Sequence, residues 1–81
     1  MLWYTYVIKS STSGRHYIGS TNNFERRLEE HNLGKNKSTR SGVPWDVIYT
    51  EQFKTRTDAV KREFKIKSFK GGNGFKKLIK I

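Results

Sequence analysis

The chain has no cysteine, one proline and one methionine in 81 residues, and only seven acidic residues against seventeen lysines and arginines. The absence of cysteine excludes disulfides, thiolate zinc ligation and a thiol nucleophile, and it agrees with a reducing compartment. Long apolar runs are also missing. The opening run, residues 2–8, is broken by Thr5 and has no basic residue ahead of it, so it is too short and wrongly flanked for a membrane span or a secretory signal. The chain therefore reads as soluble and cytoplasmic, with no membrane partner.

What is present is a single domain over residues 1–81, near the size at which one core becomes marginal. Two Trp, four Tyr and five Phe compensate, because each ring buries a large area. The net charge of +10 creates a field that attracts polyanions, and nucleic acid is the first partner it suggests.

Residues 2–10, LWYTYVIKS, alternate as a strand does, placing Trp3, Thr5 and Val7 on one face and Leu2, Tyr4, Tyr6 and Ile8 on the other. SSTSG supplies turn chemistry and RHYIG returns as a second strand. A hairpin centred between Ser11 and Thr12 sets Tyr6 opposite Tyr17, and a register error of two would keep both phenols on one face. Taken alone, such a pair points to ordinary sheet stability before catalysis.

Residues 22–33 read as a helix, capped by Asn22 or Thr21, with Glu25 in a capping-box position and Gly34 as its stop. Phe24 and Leu28 mark its core stripe, and Arg27 and His31 fall on the same face. Residues 33–44 suit a mobile basic loop carrying Lys35, Lys37 and Arg40. A third strand follows at 45–52. A second helix opens at Thr55 or Thr57 and runs to about Phe69, with Ala59, Val60, Phe64, Ile66 and Lys67 in one sector and Glu63 in its middle. A carboxylate on such a stripe is paired, protonated or ligating a metal; an ion pair with Arg27 or a nearby lysine is the ordinary alternative. A short lysine-rich helical end closes the chain at 75–81.

His16 neighbours Tyr17 in a strand and points to the opposite face, as a structural or solvent-exposed side chain. His16 and His31 together lack the ligand count of a zinc site. KGGNG at 70–74 is not a phosphate-cradling loop, because no Lys-Ser/Thr pair follows its last glycine.

Tyr6, Tyr17-Ile18-Gly19, Arg27, His31 and Glu63, in that order and spacing, resemble the GIY-YIG nuclease superfamily, above all its small stand-alone members. The resemblance covers nearly the whole chain. It departs in Tyr4-Thr5-Tyr6, which keeps only the last tyrosine of the first triplet, and in the family's late asparagine, to which neither Asn73 nor another residue is assigned. No accessory DNA-reading domain is visible.

The resemblance implies an α+β fold, a three-stranded antiparallel sheet flanked by helices, and a metal-dependent endonuclease hydrolysing DNA phosphodiesters, including structured or damaged DNA, with little sequence specificity. It implies Glu63 as ligand to one divalent ion, Mg²⁺ or Mn²⁺, which a single carboxylate, water and phosphate oxygens can hold, and no small-molecule cofactor. Arg27 would grip a non-bridging oxygen, Tyr17 would act as general base, and Tyr6 and His31 would orient the water or relay its proton. Phosphate contacts are expected at Lys35, Lys37, Arg40, Lys67 and Lys70, with Lys65, Lys76 and Lys77 nearby. DNA is favoured over RNA. Two alternatives stand beside this: a binding module of the same fold without useful turnover, and a ribosome-associated basic protein.

Overall fold

The computed structural model describes residues 2–79. Three strands, β1 (Trp3–Ser10), β2 (His16–Thr21) and β3 (Trp45–Phe53), form an antiparallel sheet in the order β2-β1-β3. Around it lie helices α1 (Phe24–Asn32), α2 (Arg56–Lys67) and α3 (Asn73–Ile79). This is the α+β architecture expected from the sequence. Among the described residues no helix is long and apolar enough to cross a membrane.

The central strand explains the sheet's two cores. Thr5, Tyr6, Val7 and Ile8 are all buried because β1 is covered on both faces. On one face Tyr6, Ile8 and Trp45 pack with Tyr17, Leu28 and Val47; on the other Val7, Ile66 and Phe75 pack with Ile18, Tyr49 and Phe69. So α1 covers the tyrosine face, and α2 with α3 covers the opposite one.

The hairpin register differs from expectation by two. Tyr6 lies across from Gly19 and Ile8 across from Tyr17, because the Ser10 hydroxyl accepts the Thr12 and Ser13 N–H groups and Ser10 N–H donates to the Arg15 carbonyl, moving the turn's centre one residue along. An even shift preserves the face. Tyr6 and Tyr17 therefore still share one, with ring centroids 6.4 Å apart.

The N-cap of α1 is Asn23, whose side chain accepts the Arg26 N–H, while Thr21 Oγ1 accepts the Asn23 N–H. The cap thus sits one residue later than Asn22 and places Arg26, not Glu25, at the third helical position. Gly34 ends the helix region at φ +75°. Phe24 and Leu28 are only partly buried, and the fully buried side chain of α1 is His31.

The basic segment after α1 is ordered, not a free loop. Trp45 Nε1 donates to the Thr39 carbonyl at 2.8 Å, Asn32 brackets the Trp45 backbone with both ends of its amide, and Arg40–Gly42 form a 3-10 turn. A buried tryptophan that must satisfy its indole N–H draws the segment down.

Thr55 caps α2 by accepting the Asp58 N–H. Its buried stripe is Ala59 and Ile66 with Glu63 between them, and Thr5 donates to the Ala59 carbonyl at 2.7 Å. Phe64 does not belong to that stripe: at about 100° per residue it lies about 140° round the helix from Ala59, and it is 63% exposed. Lys67 likewise points outward. Of the expected helical end at 75–81, Lys80 and Ile81 lie outside the described residues.

Candidate active site

The site is built where β2 turns into α1. Gly19 faces Tyr6 across the strand pair, and a Cβ there would come within 2.5 Å of the Tyr6 hydroxyl oxygen. Only a residue without a side chain lets the phenol lie over the backbone at that point. Gly19→Ala is expected to cost about 1–3 kcal/mol, because Tyr6 is 2% exposed and cannot swing into solvent. Chemical denaturation checks this; unchanged stability would show that Tyr6 yields freely.

Beneath Tyr6 lies His31, fully buried. Its Nε2 is 3.1 Å from the Tyr6 hydroxyl and its Nδ1 is 2.7 Å from Thr39 Oγ1. The Thr39 hydroxyl donates to the Asn36 carbonyl, so its oxygen accepts the Nδ1–H; Nε2 is then the bare nitrogen and accepts the proton of Tyr6. The Arg27 charge favours the ionised form of the Tyr6 phenol. Burial, aided by the Arg27 charge, lowers the His31 pKa to about 4, and burial raises that of Tyr6 to about 12 despite Arg27. Both stay neutral at physiological pH. Tyr6 is thus an aligned donor and not a base.

The neutral imidazole makes folding pH-dependent. An unfolded His31 takes up its proton near 6.5, while the folded one resists until about 4, so the unfolded chain binds more protons between these values and stability is lost as pH falls through that window. Burial also lowers the His16 pKa, in the same direction. The His31 contribution is expected to be about 2 kcal/mol between pH 7 and 5, read from urea denaturation at the two values. A His31→Gln variant with the same pH slope would contradict it.

Tyr17 is partly buried, edge-on to His31 with centroids 4.9 Å apart. Arg27, about one-third exposed, places Nη1 3.1 Å from Glu30 Oε1, and its hydrogen bond lowers the Glu30 pKa. Glu63 reaches in from α2 on the other side of the sheet. Its Oε1 accepts from Ser20 at 2.5 Å and its Oε2 from Lys67 Nζ at 2.6 Å; its side chain is 16% exposed.

A cleft of ≈ 370 Å³ is lined by Arg27 and Glu30 of α1, Ser20 and Thr21 of β2, and Arg56 and Glu63 of α2, while Tyr6 and Tyr17 are not among its lining residues. Arg27 and Glu63 are therefore lining residues of one cavity. His31 is fully buried and touches both tyrosines, Tyr6 through Nε2 and Tyr17 edge-on. His16 stacks edge-on against Phe75, centroids 5.0 Å apart, on the side of the sheet away from Tyr17.

Of the five cationic residues expected to meet phosphate, Lys67 is tied to the cleft carboxylate. Arg40 donates to the Gly34 carbonyl through Nε; Lys35 and Lys37 are exposed beyond α1, and Lys70 is exposed at φ +51° after α2. Ser20, Glu30 and Thr39 were not singled out in the sequence. Ser20 had a signal, because strand alternation turns it toward the helix that carries Glu63. Thr39 had none, standing eight positions past His31 in a segment without periodicity.

Among the described residues no three His, Cys, Asp or Glu side chains group as metal ligands. The residues present fit a hard ion held by one carboxylate, with water and phosphate filling its other positions, provided that Lys67 releases Oε2. Lys67 is 47% exposed, and a surface pair of this kind is weak.

The GIY-YIG catalytic domain matches residues 2–76. A UPF0213 protein of Staphylococcus haemolyticus is 37% identical over 67 residues, which span 82% of this chain and 80% of that protein. One from Halobacterium salinarum is 40% identical over 65 residues, spanning 79% and 83%. The solution NMR structure of a UPF0213 protein from Bacillus halodurans covers 90% of this chain and 89% of its own, at 29% identity and a TM-score of 0.49. The chain thus belongs to the GIY-YIG catalytic-domain family, a nuclease family whose substrates are nucleic acids.

Proposed function

We propose that the chain is a metal-dependent endonuclease that hydrolyses phosphodiester bonds of DNA, structured or damaged DNA included, with little sequence specificity. The observation that carries this reading is the cleft in which Arg27 and Glu63 meet from opposite sides of the sheet. Hydrolysis of a phosphodiester needs an aligned water, stabilisation of charge on the phosphoryl oxygens and help for the leaving alkoxide.

Arg27 grips a non-bridging oxygen with the donors that Glu30 leaves free. Tyr17, as the phenolate left after its own hydroxyl proton has passed to solvent, takes the proton of the attacking water. Tyr6, its own proton committed to His31, fixes the position of the water, so His31 and Thr39 act as positioning residues beneath it. Glu63 would hold one Mg²⁺ or Mn²⁺, which when bound neutralises charge on the phosphate and assists the leaving oxygen. Lys67, freed from Glu63, turns to a neighbouring phosphate, and Lys35, Lys37, Arg40 and Lys70 hold the backbone further out.

A second reading, a binding module with little turnover, draws support from the ion pairs Arg27–Glu30 and Glu63–Lys67, which engage both key charges. The two separate in one experiment. Wild type and Tyr17→Phe are incubated with labelled duplex, single-stranded and branched DNA and with RNA, in Mg²⁺, Mn²⁺ or chelator. The nuclease reading expects metal-dependent cleavage of DNA by wild type and a rate at least tenfold lower for Tyr17→Phe at equal DNA affinity. Salt-sensitive binding of every substrate with cleavage of none would favour the module, and equal rates would remove Tyr17 from the role of base.

A further inference from the structure

Four large apolar side chains are exposed among the described residues: Leu2, Leu33, Ile48 and Phe64. Phe64 differs from the others in what surrounds it. It lines a shallow, mainly apolar groove with Arg56, Thr57, Val60 and Lys61, and Arg56 and Val60 also line the cleft that holds Arg27 and Glu63. The groove is therefore an extension of that cleft along the outer side of α2. Lys67 joins the two directly, its Nζ being 2.6 Å from Glu63 Oε2 and 5.8 Å from the Phe64 ring centroid.

An exposed aromatic ring with Lys67 over one face, Arg56 and Lys61 beside it, and continuity with a cleft suited to a phosphate, matches the chemistry of a nucleotide that has left its duplex: a flat apolar base on an anionic backbone. The core does not require Phe64, since Ala59 and Ile66 anchor α2 without it. We propose that Phe64 is a stacking platform for an unpaired nucleobase next to the phosphate in the cleft, with Arg56, Lys61 and Lys67 holding the flanking backbone; this rests on the nucleolytic reading above. The platform selects substrates with an unpaired nucleotide beside the scissile bond, because a paired base has its faces covered. It contributes no sequence preference, since every base has a stacking face.

The test compares equilibrium binding, in chelator, of a single-stranded oligothymidylate and of an abasic phosphodiester strand of equal length and charge. Wild type is expected to bind the base-bearing strand about tenfold more tightly. Phe64→Ala should lose that difference while binding the abasic strand as wild type does, and Phe64→Trp should keep it. Because the side chain lies on the surface, both variants are expected to fold. If Phe64→Ala retains the wild-type difference, or if wild type binds both strands equally while still cleaving DNA, the platform is overturned and the nuclease reading stands. Failure of wild type to bind either strand overturns both. Self-association abolished by Phe64→Ala, with strand binding unchanged, assigns the ring to a contact between copies and also overturns the platform.

Discussion

Glu63→Gln is expected to lower DNA cleavage at least a thousandfold while leaving the fold intact. Glutamine keeps the length and planarity of the side chain and still accepts the Ser20 hydroxyl bond. What it loses is the anionic charge, and with it the ability to hold a divalent ion against competing water. The stability cost is small because the lost partner, Lys67, is 47% exposed and such pairs contribute about 1 kcal/mol or less. A thermal melt within a few degrees of wild type, together with lost turnover, is therefore the expected result; retained turnover would detach Glu63 from the chemistry.

Arg27→Lys keeps the positive charge and tests geometry alone. The guanidinium serves Glu30 through Nη1 at 3.1 Å and lines the cleft, leaving donors of the same rigid fork for the phosphate. An ammonium has neither the span nor the plane to do both. Loss of a placed donor to a developing oxyanion typically costs about 10²–10³ in rate, and that is the expected fall in single-turnover cleavage, with DNA affinity reduced much less. A lysine variant within a few-fold of wild type would mean that Arg27 supplies only field, not placement.

The sheet and helices were legible because their signals are periodic and redundant. The tyrosine pair survived an error in register, since a shift of two leaves every side chain on its face; the turn itself was harder, being set by the Ser10 hydroxyl and not by apolar pattern. Helical phase was less forgiving. A sector wide enough to span Ala59, Val60, Phe64, Ile66 and Lys67 is broader than the stripe α2 buries, because the structure anchors α2 through small Ala59 and through Ile66, turning the ring outward. The displaced ring then became the most informative surface feature of the helix.

The catalytic candidates were named from residue type and order, but their connections were not. That His31 would be the buried residue of α1, held by Thr39 and holding Tyr6, depends on where Trp45 draws the basic segment, a tertiary effect without local signature. The same holds for the cleft, because Arg27 and Glu63 come from opposite faces and meet only at the end of β2. Glycine 19 joins both levels: it was legible as part of a motif, and its physical reason, the Tyr6 phenol lying over its backbone, needed the fold.

The most direct measurement of the central claim is cleavage of one end-labelled branched DNA by the purified chain as Mg²⁺ is titrated and then withdrawn with chelator, with Glu63→Gln prepared identically alongside. Product that rises with Mg²⁺, stops on chelation, returns on readdition and never forms with the variant is what the cleft of Arg27 and Glu63 predicts. Equal product from the variant, or cleavage indifferent to the chelator, would contradict it.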